Sequence, residues 1–161
     1  MGTPRPNSNE LAALYGRPGF MIRRAHQIAT SIFLEASAEL RTTTTQYGVL
    51  TILQFHPGVD QITVARLLGL DRSTTGSVLR TLEAAGHVRR LVGPDRRRRS
   101  LQLTEAGASH LAELHGRAAV AVDRLLEPLG TDERSTFLGL LAKLTAAHNS
   151  GSRVPMSVQV G

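Results

Sequence analysis

Apolar residues recur every three or four positions along most of this chain and at alternate positions in one short stretch, a pattern that predicts six helices and one hairpin. Ile22, Ala25, Ile28, Ala29, Ile32, Phe33 and Ala36 form a broad stripe on a first long helix. It opens near Pro18, a favourable first-turn residue, and runs to about Leu40. Thr43 to Thr45 supply a cap for a second helix, in which Tyr47, Val49, Leu50, Ile52, Leu53 and Phe55 predict burial on most sides. His56-Pro57-Gly58 stops it. A short helix follows over about Thr63 to Leu68, then a tight turn at Gly69-Leu70, then a helix over Ser73 to Ala85 with Gly86 at the left-handed cap position. Helix, glycine turn and second helix at this spacing is the helix-turn-helix pattern. His87 to Val92 and Ser100 to Leu103 read as two strands joined at Gly93-Pro94-Asp95. Thr104-Glu105 caps a long helix to about Leu126, with Leu111, Leu114, Ala118, Val122, Leu125 and Leu126 on one face. After the break at Pro128-Leu129-Gly130, Thr131-Asp132-Glu133 opens a last helix carrying Phe137, Leu138, Leu141, Leu144 and His148.

The fold class implied is mainly α (α+β): a winged helix-turn-helix with flanking helices. Residues 1–9 and 149–161 are Pro-, Asn- and Ser-rich or otherwise unpatterned, and read as a disordered arm and a flexible tail. Between them, residues 10–148 form a single domain, with a central lobe over about 44–103. The flanking helices, about 10–40 and 104–148, carry more apolar surface than one small winged helix can cover. Such stripes call for a partner surface, so a two-fold homodimer is expected, with these helices as its dimerisation region.

Composition narrows the function. The 161 residues give one domain with a real core, and a formal charge of +6 suits an acidic partner. The absence of cysteine excludes disulfides and thiolate chemistry. No apolar run reaches bilayer length and no signal-peptide pattern is present, so a cytoplasmic location without membrane contact is expected. Catalysis finds no support. The glycines are isolated, no GxSxG elbow occurs, and Glu83, Glu105, Glu113 and Asp123 lie on separate elements. No cofactor is implied.

The Ser73–Ala85 helix has the chemistry of a DNA reader. At about 100° per residue, Thr75, Val78, Leu82 and Ala85 point inward, while Ser73, Gly76, Ser77 and Arg80 point out. Gly76 weakens a helix, which implies a close approach by something. Ser and Thr reach bases or phosphates, and Arg72 can take a guanine bidentately. At the hairpin tip, Arg96, Arg97, Arg98 and Arg99 stand in a row. In a strand entry Arg97 and Arg99 share one side and Arg96 and Arg98 the other, suited to phosphates or a narrow minor groove, with Asp95 able to brace one guanidinium.

Leu82-Glu83-x-x-Gly86, Asp95-Arg96-Arg97 and Leu103-Thr104-Glu105-x-Gly107 together resemble the hallmark run of the MarR family of bacterial transcription regulators. The resemblance spans nearly the whole chain and implies an obligate homodimer with interleaved terminal helices. It places Ser73, Thr74 and Ser77 at the major groove, and makes Arg97 the wing arginine braced by Asp95. Four arginines stand where the family usually has fewer. Leu14-Tyr15, Pro18-Gly19, Ile22-Arg23-Arg24-Ala25, Gln27-Ile28, Thr43 to Gly48 and His56-Pro57-Gly58-Val59-Asp60 further resemble the branch that represses nicotinate-degradation genes. That branch responds to a hydroxylated nicotinate.

The family resemblance implies a small aromatic acid held between the dimer helices and the DNA-binding lobe, and such a site needs a cation or donors with apolar walls. Arg23, Arg24, His26, Thr44, Thr45, Tyr47, His110 and His115 are the candidate set. The full expectation is a repressor that binds a pseudo-palindromic operator in double-stranded DNA as a homodimer and is released by an aromatic carboxylate such as a hydroxynicotinate. No metal site is expected: His110 and His115 are about 140° apart on a helix, and the other histidines are scattered. A metal-responsive or ligand-independent DNA-binding regulator is the alternative.

Overall fold

A computed structural model describes residues 8–92 and 99–157. The helices are α1 (Ser8–Tyr15), α2 (Pro18–Ala36), α3 (Thr44–Phe55), α4 (Gln61–Leu68), α5 (Arg72–Ala84), α6 (Glu105–Leu126) and α7 (Thr131–His148). Strands β1 (Val88–Val92) and β2 (Arg99–Leu103) pair antiparallel, with Val88 opposite Leu103 and Val92 opposite Arg99. This is the mainly helical winged helix-turn-helix that the periodicity predicts.

A seventh helix, α1, is one the periodicity does not predict; the other differences lie at element ends. Helix α1 begins inside the segment expected to be a disordered arm; residues 1–7 fall outside the described residues. Helix α2 stops at Ala36 rather than Leu40. There the buried Ser37 hydroxyl donates to the Phe33 carbonyl at 2.7 Å, and a 3-10 turn over Ala38–Leu40 closes on Arg41 at φ 48°. The side-chain bond competes with the helix ladder, which is why Ser ends a periodic run here. Residues 149–157 are not a loose tail. Asn149 bonds both backbone groups of Met156 at 2.8 Å, and the Ser157 N–H donates to the Arg66 carbonyl at the end of α4.

Local capping explains the central lobe. Thr43 and Gln46 form a reciprocal capping box on α3; Asp60, Asp71 and Thr104 each accept a backbone N–H in the first turn of α4, α5 and α6. Gly69 (φ 62°) and Gly86 (φ 76°) take the left-handed conformation that ends α4 and turns α5 into β1. The wing gains a second set of backbone bonds: the Gly58 N–H donates to Leu101 O, and the Leu101 N–H to Val59 O, both at 2.9 Å.

One core lies beneath these elements. Val49, Leu50 and Leu53 of α3 meet Val64 of α4, Leu79 and Leu82 of α5, Val88 and Leu101 of the wing, and Leu111 and Leu114 of α6. Burying each such side chain contributes about 1.5–3 kcal/mol. Helix α3 is less enclosed than its composition predicts, since Phe55 is exposed. Helix α2 packs along α6 but leaves Met21, Ile22, Ile28 and Leu34 in solvent. Helix α7 buries no residue and exposes Phe137, Leu138, Leu140 and Leu144.

Candidate nucleic-acid interface and effector cavity

Helix α5 is held by its ends and its inner face. Asp71 accepts from the Thr74 hydroxyl at 2.7 Å and the Thr74 N–H at 2.8 Å, and these bonds hold its carboxyl below the usual carboxylate range. The buried Thr75 hydroxyl donates to the Asp71 carbonyl, and Leu79 and Leu82 enter the core. Ser73, Ser77 and Arg80 are left on the exposed face, as the helical period predicts, and Arg72 and Thr74 are exposed beside them.

Two positions of the expected helix Ser73–Ala85 depart from the expectation. Ala85 is exposed, and Leu79 takes the inward place. Gly76 is buried rather than outward: a Cβ there would lie 3.1 Å from Gln61 Nε2. In the free chain the group nearest this glycine is therefore the Gln61 amide. The 100° period had assigned α5 one solvated face, but α4 crosses that face at its edge and covers position 76.

Beside α5 an open groove of about 660 Å³ gathers three guanidinium groups, those of Arg72, Arg80 and Arg90. Arg90, on β1, donates from Nε to Glu83 Oε1 at 2.6 Å. Arg90 escapes sequence reasoning because its strand neighbour Arg89 is equally basic. Only the strand's alternation combined with an acidic residue on the facing turn of α5 could have singled it out. Asp95, Arg96, Arg97 and Arg98 lie outside the described residues. Arg99 begins β2, placed by register opposite Val92.

A second, largely apolar cavity of about 290 Å³ lies between α2, α3 and α6. Phe33, Ala118, Ala121, Val122 and Leu125 form its walls; His26, Thr30, Thr44 and the half-buried Tyr47 bring its polar groups. Its volume lies near the lower end for small-molecule sites. Tyr47 packs tilted on Phe33 and edge-on to His115. His115 Nε2 lies 3.2 Å from Gln54 Oε1, an acceptor, so it carries the proton and Nδ1 accepts from the Tyr47 hydroxyl at 3.0 Å.

The expected effector set is therefore divided. His26, Thr44 and Tyr47 line the cavity, and His115 stands behind Tyr47. Arg23, Arg24, Thr45 and His110 are not among its lining residues. Arg23 instead lies over the Phe20 ring at 4.9 Å on the exposed side of α2. The helical period put Arg23 and Arg24 near the stripe but could not show that their side of α2 turns from α3. Thr30 and the α6 alanines were missed because small residues carry no chemical signal.

His110 belongs to another junction. The Thr42 hydroxyl donates to Leu40 O at 2.9 Å, so it accepts from His110 Nε2–H at 2.8 Å. The His110 ring stacks on that of His87, with centroids 4.1 Å apart and planes at 11°. Nδ1 of His87 is buried and finds no hydrogen-bond partner among the described residues. Burial, and secondarily His110, push its pKa down. Among the described residues no three His, Asp or Glu side chains converge as a metal site, and no helix is long and apolar enough to cross a membrane.

A capped recognition helix with a solvated polar face, beside a two-stranded wing, defines a winged helix-turn-helix transcriptional regulator. Comparison with known proteins agrees. The MarR family model matches residues 42–99. A transcriptional regulatory protein for the hcr operon of Thauera aromatica is 30% identical over 162 residues, covering 96% of each chain. The repressor CouR, solved bound to a 23-mer DNA duplex, superposes with a TM-score of 0.78 at 33% identity, covering 88% of this chain and 99% of its own. BpsR of Bordetella bronchiseptica, whose DNA binding is regulated by 6-hydroxynicotinic acid, gives a TM-score of 0.76 at 25% identity, covering 81% and 94%. The chain belongs to the MarR family of transcriptional regulators.

Proposed function

We propose that this protein is a homodimeric repressor that binds a pseudo-palindromic operator and is released by a small aromatic acid. The observation that carries the sensing part is the cavity between α2, α3 and α6, where the flanking helices meet the DNA-binding lobe. The exposed apolar faces of α2 and α7 support the dimer, since a second copy would cover them. In this reading the helices over about 10–40 and 104–148 form the dimerisation region and residues 44–103 the reading lobe. The two α5 helices enter successive major grooves about 34–36 Å apart. Arg72, Ser73, Thr74, Ser77 and Arg80 face the DNA, with Arg96 to Arg99 of the wing on the flanking backbone or minor groove and Asp95 bracing Arg97.

The cavity suits an aromatic ring, stacked against Phe33 and Tyr47, with a single acidic group met by His26 and the threonine hydroxyls. A hydroxynicotinate fits that description. Release follows if the ligand binds better to a dimer whose α5 spacing no longer matches DNA. CouR has also been solved bound to p-coumaroyl-CoA, so a larger thioester is the competitor to test.

The experiment is fluorescence anisotropy on duplex DNA from the protein's own upstream region, titrated with 6-hydroxynicotinate, benzoates and p-coumaroyl-CoA. Loss of binding with 6-hydroxynicotinate, weakened in His26→Ala without loss of DNA affinity, is the expected result. Tight binding that no aromatic acid or thioester disturbs would overturn the effector reading and keep the DNA-binding one.

A further inference from the structure

Gln61, the first residue of α4, joins three elements that read or flank the groove. Its Nε2 donates to the Arg72 carbonyl at 3.2 Å, where α5 begins. Its Oε1 faces Arg90 Nη1 at 3.5 Å, at the outer limit of a hydrogen bond, and Arg90 is fastened to Glu83 of α5. The amide sits in the notch left by Gly76: an added Cβ would meet Gln61 Nε2 at 3.1 Å and Arg80 Nη1 at 3.5 Å. Gln61 itself is half-buried.

We propose that Gln61 is a positioning residue for operator reading, setting the rotation of α5 against α4 and holding Arg90 beside α5. This rests on the assignment of α5 as the recognition helix. The amide is suited to the place because it donates on one side and accepts on the other. A carboxylate would satisfy Arg90 but face the Arg72 carbonyl with like partial charge; a leucine would fill the notch and make neither bond. Base recognition requires contact atoms placed within about 0.5 Å. A residue that fixes the pose of α5 therefore governs discrimination without touching a base.

A rival explanation of Gly76 is that it lets DNA approach the helix backbone, and a double-mutant cycle separates the two. The probe is the duplex that the wild-type protein enriches from a random-sequence library, with a scrambled duplex beside it. Affinities are measured for wild type, Gln61→Ala, Gly76→Ala and the double variant, with a melting curve for each. Each single substitution is expected to weaken binding to the enriched duplex about tenfold, and the double to be no weaker than Gln61→Ala alone. Binding to the scrambled duplex should stay within about twofold, because the phosphate contacts that dominate it remain. Equal loss on both duplexes would overturn the proposal, as would single variants that bind like wild type. Losses multiplying to about 100-fold in the double would also overturn it, returning Gly76 to the DNA. Failure of the wild-type protein to enrich any duplex would refute the recognition-helix assignment instead.

Discussion

Replacing Gly107 with alanine tests how the reading lobe is joined to the long helix α6. Gly107 lies in the first turn of α6, where its N–H donates to the capping Thr104 hydroxyl at 2.9 Å. A Cβ on it would lie 2.0 Å from the His87 carbonyl oxygen and 2.8 Å from the carbonyl carbon. Both neighbours are backbone, so no rotamer change relieves the contact; the helix start and the wing root must separate by roughly 1 Å or more. That separation strains two further bonds, Thr104 N–H to His87 O at 3.0 Å and the Thr104 hydroxyl to Gly86 O at 2.6 Å. Overpacking costs about 1–3 kcal/mol, and weakening two hydrogen bonds adds about 1–2 kcal/mol. The better helix propensity of alanine returns about 1 kcal/mol, leaving a net loss of about 1–4 kcal/mol. For a chain of this size the melting temperature should fall by roughly 3–15 °C, read by circular dichroism at fixed protein concentration. Gly116→Ala is the control: it lies in the same helix with nothing within 4 Å of the added Cβ, and should melt at or above wild type. A Gly107→Ala protein melting within about 1 °C of wild type would refute the steric argument.

Asp71→Ala removes the cap of α5 and should weaken operator binding several-fold through fraying of the turn that carries Ser73 and Thr74, with Asp71→Asn intermediate, measured by anisotropy. Unchanged affinity in Asp71→Ala would mean that DNA orders this turn by itself. The His87 ring supplies a pH prediction. Its folded pKa lies below the unfolded value near 6.5, so in that window the unfolded chain binds more protons. The resulting stability is present above pH ~6.5 and is lost as the pH falls through the folded pKa. Urea unfolding between pH 7.5 and 5 should therefore show a steeper acid loss in wild type than in His87→Phe, which keeps the stack and removes the titration; equal slopes would contradict it.

The helices of the lobe were legible because each carries both a period and punctuation. Thr43 and Thr104 cap, Gly69 and Gly86 end, and Leu50, Leu82 and Leu111 recur on the inner faces between them. The polar face of α5 followed from the same count. What escaped depends on relations between elements. Gly76 looks solvated on a helical wheel and is buried because α4 crosses it. Arg23 and Arg24 look like ligand groups beside an apolar stripe, yet the lining of the cavity comes from residues on three helices whose mutual rotation no local pattern encodes. Ser37 ended α2 early through one bond to Phe33, an effect of a single hydroxyl within an otherwise unbroken period. Residues 149–157 lack a periodic signal because their order comes from one side chain, Asn149, gripping Met156, and from the Ser157 N–H bonded to the Arg66 carbonyl at the end of α4.

The same local geometry explains how a ligand in the proposed cavity would reach the DNA. Helix α6 lines the cavity with Ala118, Ala121, Val122 and Leu125, and meets the wing root through Gly107 and His110 about 16 Å further down the same rod. At the lower end there is no slack, since Gly107 already touches the His87 backbone and His110 is stacked on the His87 ring while bonded to Thr42. A tilt of α6 imposed at the cavity cannot be absorbed there by side-chain motion; it must carry β1 and the end of α5 with it. Helix α7 imposes no such constraint within a single chain, because none of its residues is buried there. Coupling should therefore be lost when the lower junction is loosened. His110→Ala, which removes the stack and the Thr42 bond but no cavity residue, should retain 6-hydroxynicotinate binding by calorimetry while weakening its effect on operator affinity. Full release of DNA by the ligand in His110→Ala would show that the signal travels by another route.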